Sequence, residues 1–76
     1  MTIEELFAAV LGVPVGEVTD DMAARDRAEW TSRAHIQLVV ALEDLYRVSL
    51  STAEIREMTS VGAAKGLLAG KGVAVA

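Results

Sequence analysis

The segment from residue 32 to residue 46 constrains the fold of this chain more than any other feature. Apolar side chains recur there at helical spacing, which predicts one long helix at the centre of the core. Because a chain of 76 residues without cysteine has no disulfide to support a small core, apolar helix faces must supply it. We therefore expect an all-α domain. The predicted apolar face of the long helix consists of Ile36, Val39, Val40, Leu42, Leu45 and Tyr46.

A helix is also predicted at the start of the chain. Thr2 and Glu5 have the spacing of a capping box, in which each side chain binds the other residue's backbone N–H. Gly12, followed by Pro14, is typical of a helix end. The apolar face of this helix is predicted to be Ile3, Leu6, Phe7, Val10 and Leu11.

Two shorter helices are predicted in the second half of the chain. Ser51 and Glu54 have the pattern of another capping box and open a short helix that extends to about Met58. Ser60 is the predicted cap of a last helix, which Gly70 ends. The side chains expected to face inward are Ile55, Met58, Val61, Ala64, Leu67 and Leu68.

Residues 13–31 form a predicted loop that is long for so small a domain, and loops of this length are usually functional or mobile. Scattered apolar residues indicate that the loop packs across the helices. Residues 1–70 are therefore expected to form one domain, and residues 71–76 a frayed tail. The predicted apolar anchors of the loop are Val13, Val15, Val18 and Met22.

The charge balance narrows the class of partner. Eleven acidic and seven basic residues give a net charge of -4, which argues against nucleic acid and favours partners with basic surfaces. The sequence has no apolar run long enough to span a bilayer, and its N-terminus is acidic where a signal peptide would be basic. We expect a cytoplasmic monomer that binds neither membrane nor nucleic acid.

The sequence offers little for catalysis. Its single histidine, His35, has no cysteine and no second histidine with which to share a metal, and the acidic residues lack the spacing of a calcium loop. We therefore predict no metal site and no enzymatic activity, with His35 as a polar residue on the first turn of a helix. A small catalytic subunit that uses His35 is the alternative.

Ser32 lies at the mouth of the long helix, directly after the long loop. A phosphodiester on its hydroxyl would lie against the positive end of the helix dipole, which is a favourable place for an anion. A flexible arm attached there would point away from the packed body. The alternative is that Thr31 or Ser32 is only the N-cap of the helix, a role that both residue types fill well.

The segment around Ser32 resembles the prosthetic-group motif of acyl carrier proteins, Asp-Ser-Leu followed by an apolar helix that ends Ala-Leu-Glu-Glu. Residues 31–33 align with Asp-Ser-Leu, and residues 38–44 with the second half of that helix. Residues 11–21 and 48–62 resemble the family's other segments in the same order. Trp30 and His35 are similar to the pattern Trp-Asp-Ser-Leu-x-His of discrete carriers in polyketide and tetronate pathways.

The resemblance implies a four-helix acyl-carrier-protein bundle with a long first loop and a short third helix. It also implies a 4′-phosphopantetheine arm, taken from coenzyme A, on Ser32, which would hold an acyl or polyketide-type intermediate as a thioester. The implied partners are a phosphopantetheinyl transferase and acyl-loading, condensing or acyl-transferring enzymes. The predicted partner contacts are Thr31, Arg33, Ile36, Gln37, Glu43, Asp44 and Arg47.

Two residues beside Ser32 depart from the family pattern. Thr31 replaces the acidic residue before the serine, and Arg33 replaces the leucine after it. A permanent cation in place of an apolar side chain is expected to weaken docking into an apolar pocket of a generic transferase. The alternative function is therefore an unmodified, carrier-like helical module for docking or regulation.

Overall fold

The computed structural model describes residues 1–75, and in this range four α-helices account for the regular structure. They are α1 (Ile3–Leu11), α2 (Ser32–Tyr46), α3 (Thr52–Glu57) and α4 (Val61–Gly70). The loop between α1 and α2 contains two short 3-10 turns, Val15–Glu17 and Ala24–Asp26. The all-α class, the long first loop and the short third helix are thus confirmed.

The predicted capping residues start the helices at the predicted positions. Thr2 and Ser51 form reciprocal capping boxes with the residues three positions later, and the hydroxyl of Ser60 accepts from the Ala63 amide at 3.0 Å. Gly12 ends α1 with a φ of 71°, in the left-handed region that glycine adopts without steric cost. Local chemistry therefore determines most of the helix bounds.

The core lies where α1, α2 and α4 meet, and Met58, directly after α3, completes it. Its members come from all parts of the chain, so the four helices and the loop form one hydrophobic unit. The most deeply buried large side chains are Phe7, Ile3, Leu38, Leu42, Met58, Leu68 and Val61.

The buried face of α2 differs from the predicted one. Ile36, Val40 and Leu45 are 55%, 59% and 38% exposed, so their assignment to the core is wrong. Leu38 and Ala34 are buried instead, beside the correctly predicted Val39 and Leu42. The reason is geometric: positions 36 and 40 are each two residues from Leu38, or about 200° around the helix axis.

The long loop is anchored as predicted at three of four positions. Val13, Val18 and Met22 are buried, whereas Val15 is 50% exposed. Val15 begins the first 3-10 turn, which contributes no buried residue. The prediction that Val15 anchors the loop is therefore wrong.

Backbone hydrogen bonds fasten the loop to the start of α4. The Val61 amide donates to the Met22 carbonyl and the Gly62 amide to the Asp20 carbonyl, both at 3.0 Å. A Cβ atom at Gly62 would lie 3.1 Å from that same Asp20 oxygen, closer than side chains normally pack, so glycine permits this approach. The predicted packing of the loop across the helices is confirmed.

The segment after α4 contacts the body of the protein. The Val73 amide donates to the Leu68 carbonyl at 3.0 Å, and Val73 and Val75 pack against the core. The predicted fraying of residues 71–76 concerns their motion and stays a prediction, and Ala76 lies outside the described residues. Within residues 1–75, none of the helices is both long enough and apolar enough to cross a bilayer.

Candidate functional site

Two adjacent hydroxyl residues stand at the start of α2, and the structure separates their roles. Thr31 is the N-cap, because its Oγ1 accepts from the Ala34 amide at 3.1 Å. Ser32 is the first residue of the helix and is exposed. Its hydroxyl has no hydrogen-bond partner within the described part of the chain. The Ser32 hydroxyl is therefore exposed and unengaged, while that of Thr31 caps the helix.

The backbone around Ser32 favours an anion. An α-helix offers its first amides no acceptor of its own, and here the Ala34 amide is the one that binds the Thr31 hydroxyl. The amides of Ser32 and Arg33 remain directed outward at the positive end of the helix dipole. A phosphodiester on Ser32 would lie in this positive field.

A shallow groove of about 310 Å³ lies beside Ser32. Most of its wall is apolar, with Ile36 largely exposed to solvent along one side. A flexible arm leaving Ser32 would therefore find an apolar surface within reach of its attachment point. The groove is lined by Ala24, Trp30, Thr31, Ser32, His35 and Ile36.

Trp30 and His35 form part of the groove wall, and each is held in place by contacts with other parts of the chain. Trp30 is buried and meets Phe7 edge to face, with ring centroids 5.4 Å apart. Its indole Nε1 donates to His35 Nδ1 at 3.0 Å, and His35 Nε2 lies 2.7 Å from the Ile55 carbonyl oxygen. The sequence predicted His35 as a polar residue of the first turn, but it did not predict the bond to Ile55, which lies 20 positions further along the chain.

No protein-family model matches the chain. It is similar to polyketide-8 synthase acyl carrier protein 2 of Streptomyces avermitilis, with 36% identity over 69 residues that cover 91% of this chain and 79% of the relative. A match of this extent, on an all-helical fold with a free serine at the start of the second helix, decides the family.

The chain belongs to the acyl carrier protein family. Members of this family are carriers and not catalysts, which confirms the prediction that the chain is not an enzyme. Within residues 1–75, no three histidine or acidic side chains cluster as a metal site would require.

The family implies a phosphopantetheine prosthetic group, and the residues at Ser32 fit such a group. The hydroxyl that would form the phosphodiester is exposed, the helix end favours the phosphate charge, and the groove offers an apolar surface to the arm. The hydroxyl and the helix end belong to the first turn of α2, and the groove lies directly beside them.

The predicted partner contacts lie on one accessible side of the carrier, with one exception. Glu43 is half-buried, unlike the other predicted contacts, and its carboxylate accepts from the Leu50 amide at 2.8 Å. It holds the connection between α2 and α3 instead. The contact role of all these residues stays a prediction. The exposed members are Thr31, Arg33, Ile36, Gln37, Asp44 and Arg47.

The first half of α2 carries a positive charge, and acidic residues appear only toward its end. Arg33 forms no ion pair with any of the described residues, and the first acidic residue of the helix is Glu43. The surface next to Ser32 therefore carries a cation and the exposed apolar side chain of Ile36.

Proposed function

We propose that Ser32 carries 4′-phosphopantetheine and that the protein holds an acyl or polyketide-type intermediate on this arm as a thioester. The observation that carries the proposal is the exposed, unengaged hydroxyl of Ser32 beside a Thr31 that already caps the helix. The similar polyketide synthase carrier supports the same reading.

The chain's own part in the modification is to present one hydroxyl. In attachment, Ser32 Oγ would bond to the pantetheine-side phosphorus of coenzyme A. The bond from this phosphorus to the adenosine-side phosphate would break, adenosine 3′,5′-bisphosphate would leave, and the hydroxyl proton would pass to the transferase. The bound group supplies a terminal thiol for the thioester. The outward amides at the start of α2 favour the negative phosphodiester that results.

The partners that this function requires are a phosphopantetheinyl transferase and enzymes that load, condense or transfer the acyl group. We propose that the protein acts in polyketide biosynthesis. We also propose that it is cytoplasmic and monomeric. Partners would reach Ser32 across the exposed start of α2, where Thr31, Arg33, Ile36 and Gln37 are accessible. Asp44 and Arg47 extend the same accessible surface toward the other end of the helix.

The test is incubation of the purified protein with coenzyme A and a transferase, followed by intact-mass measurement. We expect the addition of one phosphopantetheine to the wild type and none to Ser32→Ala. Ser49→Ala is the matched control, because Ser49 is also exposed but lies outside the helix start. This control should be modified like the wild type.

A wild type that stays unmodified with broad-specificity transferases and with that of its own host would contradict the proposal. The unmodified docking or regulatory module would then be the better description. Modification that persists in Ser32→Ala would place the arm elsewhere.

A further inference from the structure

His35 joins three elements that surround Ser32. It lies in the first turn of α2, accepts a hydrogen bond from Trp30 at the end of the long loop, and reaches the Ile55 carbonyl in α3 at 2.7 Å. Trp30 and His35 also line the groove next to Ser32. One side chain thus connects the loop, α2 and α3 at the attachment site.

The two contacts determine the proton position on the His35 ring. An indole N–H can only donate, so Nδ1 must be the acceptor from Trp30. A carbonyl oxygen can only accept, so Nε2 must carry the proton that binds Ile55. The neutral ring protonated on Nε2 satisfies both bonds, whereas the other neutral tautomer satisfies neither.

The bond to Ile55 matters because α3 is short, with the Lys71–Glu54 ion pair at 2.9 Å and the packing of Ile55 against the core as its other attachments. The helix has six residues, none of them fully buried, and isolated helices of this length are not stable in water. The Ile55 carbonyl is one of its last four, which lack full partners within the helix. His35 therefore caps α3 and ties it to the first turn of α2.

The bond to Trp30 connects the same histidine to the core. The indole ring is buried against Phe7, and a buried N–H that loses its acceptor is destabilising. Trp30 therefore holds the Nδ1 edge of the His35 ring in place, and the Nε2 edge of the ring holds α3 through the Ile55 carbonyl. The groove beside Ser32 takes its shape from this arrangement.

We infer that His35 is a positioning residue, which holds α3 and the groove in the arrangement that a partner enzyme recognises at Ser32. The inference rests on the proposed function, since it concerns access to the Ser32 hydroxyl. His35 does not take part in the chemistry. It affects recognition of Ser32 indirectly, because it sets the position of Ile55 and α3.

The experiment uses the transferase that modifies the wild type and measures KM and kcat for the carrier. His35→Gln places an amide N–H near the position of Nε2 and can keep the bond to Ile55. His35→Asn places an amide oxygen near Nδ1 and can keep only the bond from Trp30. His35→Ala removes both bonds, and Ser49→Ala is the control away from the site.

We expect His35→Ala and His35→Asn to raise KM about fivefold, the factor that one lost hydrogen bond is typically worth, with kcat unchanged. His35→Gln should restore most of the wild-type KM. If His35 served only to satisfy the buried indole, the order would reverse and Asn would be the restoring residue. That reversal, or equal KM values for all variants, would overturn the inference.

The ring tautomer gives a second readout that does not depend on the transferase. Nitrogen-15 NMR of the histidine ring should show the proton on Nε2 in the wild type, and a proton on Nδ1 would overturn the inference. A wild type that no transferase modifies would overturn the proposed function, and this inference with it. That result is distinguishable from equal KM values among modified proteins.

Discussion

Thr31 and Ser32 are adjacent and chemically similar, yet their positions at the helix end give them different uses. The N-cap residue lies just outside the helix, and its side chain folds back onto the amide three positions later, as Thr31 does with Ala34. The first helical residue has no such bond to make, so Ser32 points into solvent. A shift of one residue in the helix start would exchange these roles.

The unusual neighbours of Ser32 lead to a prediction at the residue scale. Thr31→Asp together with Arg33→Leu should speed modification of Ser32 by a generic transferase, because the pair restores the family's flanking residues. Aspartate is also a good N-cap, and its charge at the helix start is worth about 0.3–1 kcal/mol. Helicity and melting temperature should change little, since Arg33 has no ion pair among the described residues.

Mass spectrometry of the two proteins side by side would measure the modification rates. Thr31→Asn with Arg33→Leu is the matched control, because asparagine caps the helix without adding charge. Equal rates for the wild type and both double variants would show that these residues do not control modification. Their purpose would then lie with another partner.

At the scale of an element, α2 shows how one helix divides its apolar residues between two tasks. Leu38, Val39 and Leu42 are buried in the core, while Ile36 and Val40 are exposed. Exposed branched apolar side chains are the kind of surface that a partner can cover. The helix thus has more apolar residues than its core contacts require.

This division can be tested with two leucines of the same helix. Leu42 is 1% exposed and Leu45 is 38% exposed. Leu42→Ala should lower the free energy of unfolding by about 2–5 kcal/mol, because it leaves a cavity in the hydrophobic core of a small domain. Leu45→Ala should cost distinctly less, because its side chain is partly in water already.

Urea denaturation monitored by circular dichroism would give both values. The comparison keeps residue type and helix constant, so helix propensity cancels. A loss at Leu45 as large as that at Leu42 would mean that α2 turns a different face to the core, with Leu45 buried. A negligible loss at Leu42 would have the same meaning.

At the scale of the whole molecule, Lys65 connects three parts of the chain. Its Nζ lies 2.6 Å from a carboxylate oxygen of Glu4 in α1 and 2.6 Å from one of Asp20 in the loop. Hydrogen bonds to Asp20 and Glu4 raise the pKa of Lys65 above 10.5. The hydrogen bond from Lys65 lowers the pKa of Glu4 below 4.5.

These directions define the pH range in which the cluster stabilises the fold. A carboxyl group with a lowered pKa contributes stability above its unfolded value, 4.5 here, and loses it as the pH falls through the folded value. A lysine with a raised pKa contributes below 10.5 and loses its contribution as the pH rises further. The cluster is therefore fully stabilising between these limits.

We expect Lys65→Met to destabilise the protein at neutral pH by about 0.2–1 kcal/mol, the usual range for solvent-accessible ion pairs. The difference from the wild type should shrink as the pH falls below 4.5, because Glu4 becomes protonated in both proteins. Urea unfolding at a series of pH values measures this. Arg56→Met is the control, since Arg56 makes no ion pair with the described residues, and superimposable pH profiles for the two variants would refute the prediction.

The sequence alone determined the features that neighbouring residues control. The capping boxes at Thr2 and Ser51, the glycine end of α1 and the bounds of α2 were all predicted from residues within a few positions of each other. Capping and helix periodicity depend on residues within about one turn of each other, so the linear sequence is enough to predict them. Ser32 was found in the same way, as the serine at the start of the strongest helix.

Only the tertiary structure decided which apolar residues are buried and what His35 binds. Ile36, Val40 and Leu45 continue the apolar pattern of α2 but are largely or partly exposed to solvent, so periodicity alone could not exclude them from the core. Glu43 is half-buried, and its carboxylate accepts a hydrogen bond from the Leu50 amide, seven residues further along the chain. His35 meets Ile55 through a contact between two helices, and such contacts depend on how the chain packs over long separations, which no local pattern contains.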